Sequence, residues 1–199
     1  MERFYISADA TQWNRFQNGN EQAFSQIFHT HFKNLCHYGY KFIPDKDLVK
    51  DCVQELFIYL WQNRERLEYT EAIELYLLKS LRGRLLRLLN KRKKSGIESI
   101  FTDTVSFSFT FSFAETSQTE QIRNTQEEQL LQALNQLPAR QKEVVYLRFF
   151  RNLSYEEIAA IMGLNNQIVR NYACQAIKGL RKKVELIFFV LLLCQYAES

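Results

Sequence analysis

The sequence predicts an all-α protein, two small helical domains joined by an extended linker, and three observations carry that prediction. Apolar residues recur at spacings of three and four along most of the chain, the period of a helix with one buried face. Only 6 Gly and 2 Pro occur in 199 residues, few for a fold built on tight turns. The helical period lapses between Ser95 and Thr125 and then resumes, which divides the chain into 1–94, a linker 95–125, a second helical body 126–183 and an apolar tail 184–199. At 46% hydrophobic the chain is globular rather than disordered, and each half can bury a modest core.

Trp13 and Phe16 suggest a short first helix, ended by the turn Asn18-Gly19-Asn20. A long helix follows from Asn20 towards Pro44, with Ala23, Phe24, Ile27, Phe28, His31, Leu35, Tyr38 and Phe42 inward. His29, His31, Cys36 and His37 lie on it, but their spacings do not converge as zinc ligands must, so no metal site is expected. Asp45 and Asp47 open the next helix, where acids suit the positive end of the dipole. Leu48, Cys52, Leu56, Tyr59 and part of Leu60 are expected inward, with Asp51, Gln54, Glu55 and Ile58 pointing elsewhere. Phe57 and Trp61, at i and i+4, should form one aromatic ridge. Aromatics ringed by polar groups are where interface energy concentrates, so this helix is expected to present a protein-docking face; a core Trp beside a solvated acidic face is the plainer reading.

A polar bend, 63–70, leads to a helix from Glu71 to Lys94. Its second half interleaves leucines with Lys79, Arg82, Arg84, Arg87, Lys91, Arg92, Lys93 and Lys94 and contains no acid. Every i,i+4 salt bridge is thereby forfeited, a mild loss that a bound polyanion would restore, and nucleic acid is the expected ligand. In the linker, Val105, Phe107, Phe109, Phe111 and Phe113 alternate with Ser and Thr, the period of a strand. One strand alone is unstable, so it must pair with something or dock its aromatics in a complex. Helical spacing returns with Leu130, Leu131, Leu134 and Leu137; Pro138 then suits the first turn of a helix burying Val144, Val145, Leu147 and Phe149.

The stretch from Ser154 to Lys183 reads as two helices and a tight turn. Ser154 and Glu157 have the spacing of a capping box, Ile158, Ala159, Ile161 and Met162 form an apolar stripe, and Gly163 falls where a left-handed residue ends a helix. The second helix buries Val169, Tyr172, Ala173, Ile177 and Leu180, and its other face carries Asn166, Gln167, Arg170, Asn171, Gln175, Lys178 and Arg181. Small Ala159, the turn at Gly163 and Val169 between the helices make this a helix-turn-helix, with amide and cationic side chains where base edges and phosphates would lie. The apolar run Leu186 to Cys194 is far short of the roughly 20 residues a bilayer requires, so no transmembrane span is expected. The opening MERFYISADA has no signal-peptide pattern, and Cys36, Cys52, Cys174 and Cys194 form no C-x-x-C pair and look like small core residues, so cytoplasmic residence is expected.

In this order the features resemble the sigma-70 family of bacterial transcription initiation factors, in its small two-domain extracytoplasmic-function group. NGNEQAFSQIFHTHF resembles the opening of region 2, and DCVQELFIYLW is similar to the family's D-x-V-Q-E-x-F-x-x-L-W run. LYLLKSLRGRLLRLLNKRKK looks like the later part of region 2, and LPARQKEVVYLRFFRNLSYEEIAAIMGL resembles region 4. The resemblance implies that Asp51, Gln54, Glu55, Phe57 and Trp61 dock on the clamp helices of the largest subunit of core RNA polymerase. It implies minus-ten DNA contacts by Lys79, Arg82, Arg84 and Arg87, with Tyr69 and Tyr76 offering faces to an unstacked base. It implies that Asn166, Gln167, Arg170, Asn171, Gln175 and Lys178 read the minus-thirty-five element of promoter DNA, that an anti-sigma factor is a partner, and that neither cofactor nor small-molecule substrate is needed. The chain departs from the family at Gly83, where members often carry Asn, and at Tyr172 and Gln175, where many carry Arg. Two readings from other classes compete: a stand-alone helix-turn-helix regulator with a sensing or dimerising front half, and a metal-dependent nuclease, for which no convergent ligand cluster is visible.

Overall fold

The computed structural model describes residues 7–94, 107–109 and 130–181, and the chain falls into two compact units, Met1–Phe101 and Thr102–Ser199. The first unit contains α1 (Ala8–Gln17), α2 (Glu21–Tyr40), α3 (Lys46–Asn63) with a 3-10 turn at Arg64–Arg66, and α4 (Ile73–Lys94). The second contains a helical stretch α5 (130–135), then α6 (Ala139–Val145), α7 (Tyr155–Met162) and α8 (Asn166–Arg181).

Each helix start in the first unit has a side chain to accept its orphan N–H groups, which is why the boundaries fall where they do. Ser7 Oγ accepts from Ala10 N–H at 3.0 Å, Asn20 Oδ1 from Ala23 N–H at 2.8 Å, and Asp45 Oδ1 from Asp47 and Leu48 N–H, each at 3.1 Å. The start of α4 is capped from another helix, Asp9 Oδ2 accepting from Ile73 N–H at 3.1 Å. Gly19, at φ +82°, makes the turn into α2. From α1 the buried Trp13 donates its indole N–H to Glu68 O (3.2 Å), and Gln17 Nε2 donates to Leu67 O (2.8 Å), tying the bend before α4 to the first helix.

Helices α2 and α3 cross where Gly39 faces Val49: a Cβ at Gly39 would stand 2.5 Å from Val49 Cγ1. Gly39→Ala is therefore expected to destabilise the protein by about 1–3 kcal/mol through overpacking, with partial recovery in Gly39→Ala/Val49→Ala, read by urea denaturation. Equal stability of the single variant and the parent would show that the helices can part without loss.

In the second unit α6 does not end as a plain helix. Residues Tyr146–Phe150 form a π turn, with Arg151 N–H reaching back to Tyr146 O at 3.2 Å. The turn stacks Tyr146 on Phe150 (centroids 5.8 Å, 15°), and these rings receive the aromatics of the linker. Phe107 lies 5.8 Å from Tyr146 and Phe109 5.5 Å from Phe150, both Phe side chains buried. The expected strand partner is a side chain: Asn135 Oδ1 accepts from Phe109 N–H (2.8 Å) while Asn135 Nδ2 donates to Phe109 O (2.9 Å). One amide thus satisfies both backbone groups of a residue, as a neighbouring strand would. Residues 107–109, the described part of the predicted strand, form no ladder, which corrects the strand reading there, and the rings of Phe107 and Phe109 serve the core of the second unit. The rest of the Phe-rich stretch and the apolar tail lie outside the described residues.

Other corrections concern which face of a helix is inward. In α3 the buried set is Val49, Cys52, Val53, Leu56, Phe57 and Leu60, whereas Tyr59 is 46% exposed. In α2, Phe24, Phe28 and His31 are half-buried and Cys36 takes a core position. Phe149 is half-buried and Tyr146 is buried instead. Cys36 and Cys52 are core residues as expected, but Cys174 is exposed on α8.

Candidate functional site

The outer face of α3 carries Asp51, Gln54 and Glu55, all exposed. Ile58 lies at i+7, i+4 and i+3 from them and is 55% exposed, an apolar side chain at the end of a row of two acids and an amide. The sequence reading set Ile58 aside; its offsets from the three polar residues were the signal. Phe57 is only 2% exposed, so its ring cannot meet a partner. It packs edge-on against Phe24 (6.2 Å) and Phe28 (4.9 Å) and supports the face from beneath. Trp61 is half-buried, 5.0 Å from Phe24, with the Arg64 guanidinium 4.7 Å over its ring and Arg64 Nη1 donating to Trp61 O at 2.8 Å. The expected Phe57–Trp61 ridge is thus largely inside, because α2 supplies aromatic partners that a helix considered alone lacks.

Beside α3 runs the basic helix α4, anchored by buried Ile73, Leu77, Leu78, Leu81 and Leu85. Lys79, Arg87 and Lys91 are exposed, and Arg82, Arg84 and Arg92 half-exposed. Arg84 lies 4.9 Å over the Tyr59 ring, so this cation is partly committed to α3. A Cβ at Gly83 would meet nothing within 4 Å, so packing does not explain a glycine there. Of the two tyrosines expected to receive a base, Tyr69 is 53% exposed, but Tyr76 packs on Trp13 with centroids 5.0 Å apart. Burial pushes the Tyr76 phenol above its ordinary pKa. Tyr76 is half-buried with its ring against Trp13, and Tyr69 is the more open of the two.

In the second unit the helix-turn-helix forms as its local signals require. Ser154 Oγ accepts from Glu157 N–H (3.2 Å) while Glu157 Oε2 accepts from Ser154 N–H (2.7 Å), and Gly163 adopts φ +65°. Asn165 Oδ1 accepts from Ile168 N–H at 2.8 Å and starts α8. Val169, Ala173, Ala176 and Leu180 are buried, with Tyr172 half-buried against the body. Gln167, Arg170, Asn171, Gln175 and Lys178 are exposed together, with Asn166 half-exposed at the start of the face. Gln167 Nε2 donates to Asn171 Oδ1 (3.0 Å), and Gln141 Nε2 of α6 donates to Gln175 Oε1 (3.0 Å).

The sequence reading missed Glu156. This α7 carboxylate accepts from Arg170 Nη2 at 3.2 Å and from Asn166 Nδ2, while Arg170 Nε donates to Asn166 Oδ1 at 3.0 Å. Its own backbone N–H, then Asn166 and Arg170, hold the Glu156 carboxyl below the usual carboxylate range. Tyr155 lies between two guanidinium groups, Arg148 at 5.1 Å and Arg170 at 5.0 Å. Among the described residues no three His, Cys, Asp or Glu side chains are grouped to hold a metal, and no helix is long and apolar enough to cross a membrane.

A basic helix in one unit and a helix-turn-helix in the other define a DNA-binding protein. Residues 27–95 match the family model for Sigma-70 region 2, and residues 127–180 that for Sigma-70, region 4. The RNA polymerase sigma factor SigV of Bacillus subtilis (strain 168) is 28% identical over 151 residues, 76% of this chain and 84% of that protein. Two solved structures share the fold at 21% identity. CnrH, in complex with the cytosolic domain of CnrY, has a TM-score of 0.60 and covers 88% of this chain and 96% of its own. The sigma factor RpoE, in complex with the anti-sigma factor NepR from Bartonella quintana, has a TM-score of 0.62 and covers 83% and 98%. The chain belongs to the sigma-70 family, with the two-region make-up of its extracytoplasmic-function group.

Proposed function

We propose that the surfaces described above divide the work of a transcription initiation factor: the outer face of α3 docks on core RNA polymerase, α4 with Tyr69 engages and opens the minus-ten DNA, and α8 reads the minus-thirty-five element. The observation that carries this reading is the shared exposure of Asp51, Gln54, Glu55 and Ile58 on one helix, beside an acid-poor basic helix. Such a factor is not an enzyme in itself; it lends sequence recognition to a polymerase and works where that polymerase and its promoters are, in the cytoplasm. Two DNA readers joined in one chain bind by effective concentration, so neither has to be tight alone. An anti-sigma factor competing for the α3 face would give control, a reading supported by the partner named for RpoE.

The test is a gel shift of promoter duplex with and without core polymerase. Feeble, unselective retention by the chain alone and specific retention with core are expected. Tight and specific binding without polymerase would instead establish a stand-alone regulator.

A further inference from the structure

We propose that Glu156 is a positioning residue for base selection: from α7 it holds Arg170 and Asn166 in one arrangement on the recognition helix, so that it sets selectivity for the upstream element rather than affinity. This rests on the reading that α8 contacts promoter DNA. An exposed carboxylate next to a DNA-reading face is otherwise a liability, because it repels phosphates. An isolated exposed ion pair would not justify it, since such pairs contribute little. Here the contacts converge. Glu156 Oε1 accepts from both Arg170 Nη2 and Asn166 Nδ2, Asn166 Oδ1 accepts from Arg170 Nε, and the Tyr155 ring lies 5.0 Å from the same guanidinium. The fork is restrained on its Nε and Nη2 side and lies against the Tyr155 ring, while Nη1 makes no bond among the described residues. A guanidinium held this way loses less freedom when it meets a base, and offers one orientation rather than several.

Two opposite effects follow from removing the carboxylate. Repulsion of phosphates falls, so retention of unselected DNA rises; Arg170 and Asn166 become free to swing, so discrimination among bases falls. A good bidentate contact discriminates by about five- to 150-fold, which sets the size of the preference at stake. A purely structural role in α7 would lower both quantities together.

The experiment uses the full chain with core polymerase and a duplex library randomised across the upstream element, sequencing what is retained. Wild type, Glu156→Ala, Arg170→Lys and the double variant are compared, with a thermal melt of each to confirm folding. Lys keeps the charge of Arg170 but not its fork. Glu156→Ala and Arg170→Lys should flatten preference at the same base positions, the double variant should lose no more there than Arg170→Lys, and Glu156→Ala should retain more unselected DNA. Unchanged preference in Glu156→Ala, flattening at different positions from Arg170→Lys, or additive losses in the double variant would overturn the proposal. A wild-type holoenzyme that enriches no upstream sequence would instead count against the promoter reading of α8 itself.

Discussion

Phe57→Ala is expected to lower the unfolding free energy by about 3–5 kcal/mol and to weaken polymerase binding only through that loss. Its ring is enclosed by Phe24 and Phe28, so truncation leaves a cavity between α2 and α3 rather than an altered surface. The contrasting variant is Asp51→Ala/Glu55→Ala. Both side chains are exposed, so stability should change by no more than about 0.5 kcal/mol per site. Association with core polymerase should nevertheless be lost, and Ile58→Ala should weaken it with the fold intact. Urea denaturation and pull-down on immobilised core separate the two effects. Full-strength association of the acid-free variant would move the docking face off α3, and parental stability of Phe57→Ala would contradict the packing described above.

The second large effect is on salt dependence. Retention of promoter duplex by the holoenzyme should fall by about a thousandfold between ~50 and ~200 mM salt if about six cations displace counterions from phosphates. Lys79, Arg87 and Lys91 of α4 and Lys178 and Arg181 of α8 are exposed and are the cations expected to do so, with a smaller share from Arg84. Arg84, drawn towards Tyr59, should contribute less than Lys79. Fluorescence anisotropy of labelled duplex measures the slope, and Lys79→Gln should reduce it by close to one charge. A fall of tenfold or less would mean that the basic helix does not lie on the phosphate backbone.

Much of this architecture is legible along the chain because its causes are local. A cap with its partner three residues on, a Gly at a helix end and a run of cations at helical spacing act within a turn or two, so Ser154 with Glu157, Gly163 and the basic second half of α4 could be placed before any contact was known. Rotation of a helix about its axis is a different matter. The apolar residues of α3 fit more than one inward stripe, and the choice among them falls to α2, where Gly39 admits Val49 and where Phe24 and Phe28 receive Phe57. That setting turns Tyr59 and Ile58 outward, and with them the composition of the docking face.

Long-range partners were likewise hidden. Asn135 meets the backbone of Phe109 across 26 residues of sequence, and Glu156 meets Arg170 across 14. Nothing in either neighbourhood announces the other. The amino-acid order by itself determined which segments are helical, where most of them start and stop, and that cations gather on one acid-poor half-helix, because those outcomes depend on neighbours in the chain; the start of α4, capped by Asp9 from 64 residues away, is the exception. Which face of each helix meets solvent, and which polar side chains are held still, was decided only by tertiary contact, because burial and hydrogen-bond pairing depend on what packs against a residue rather than on what precedes it.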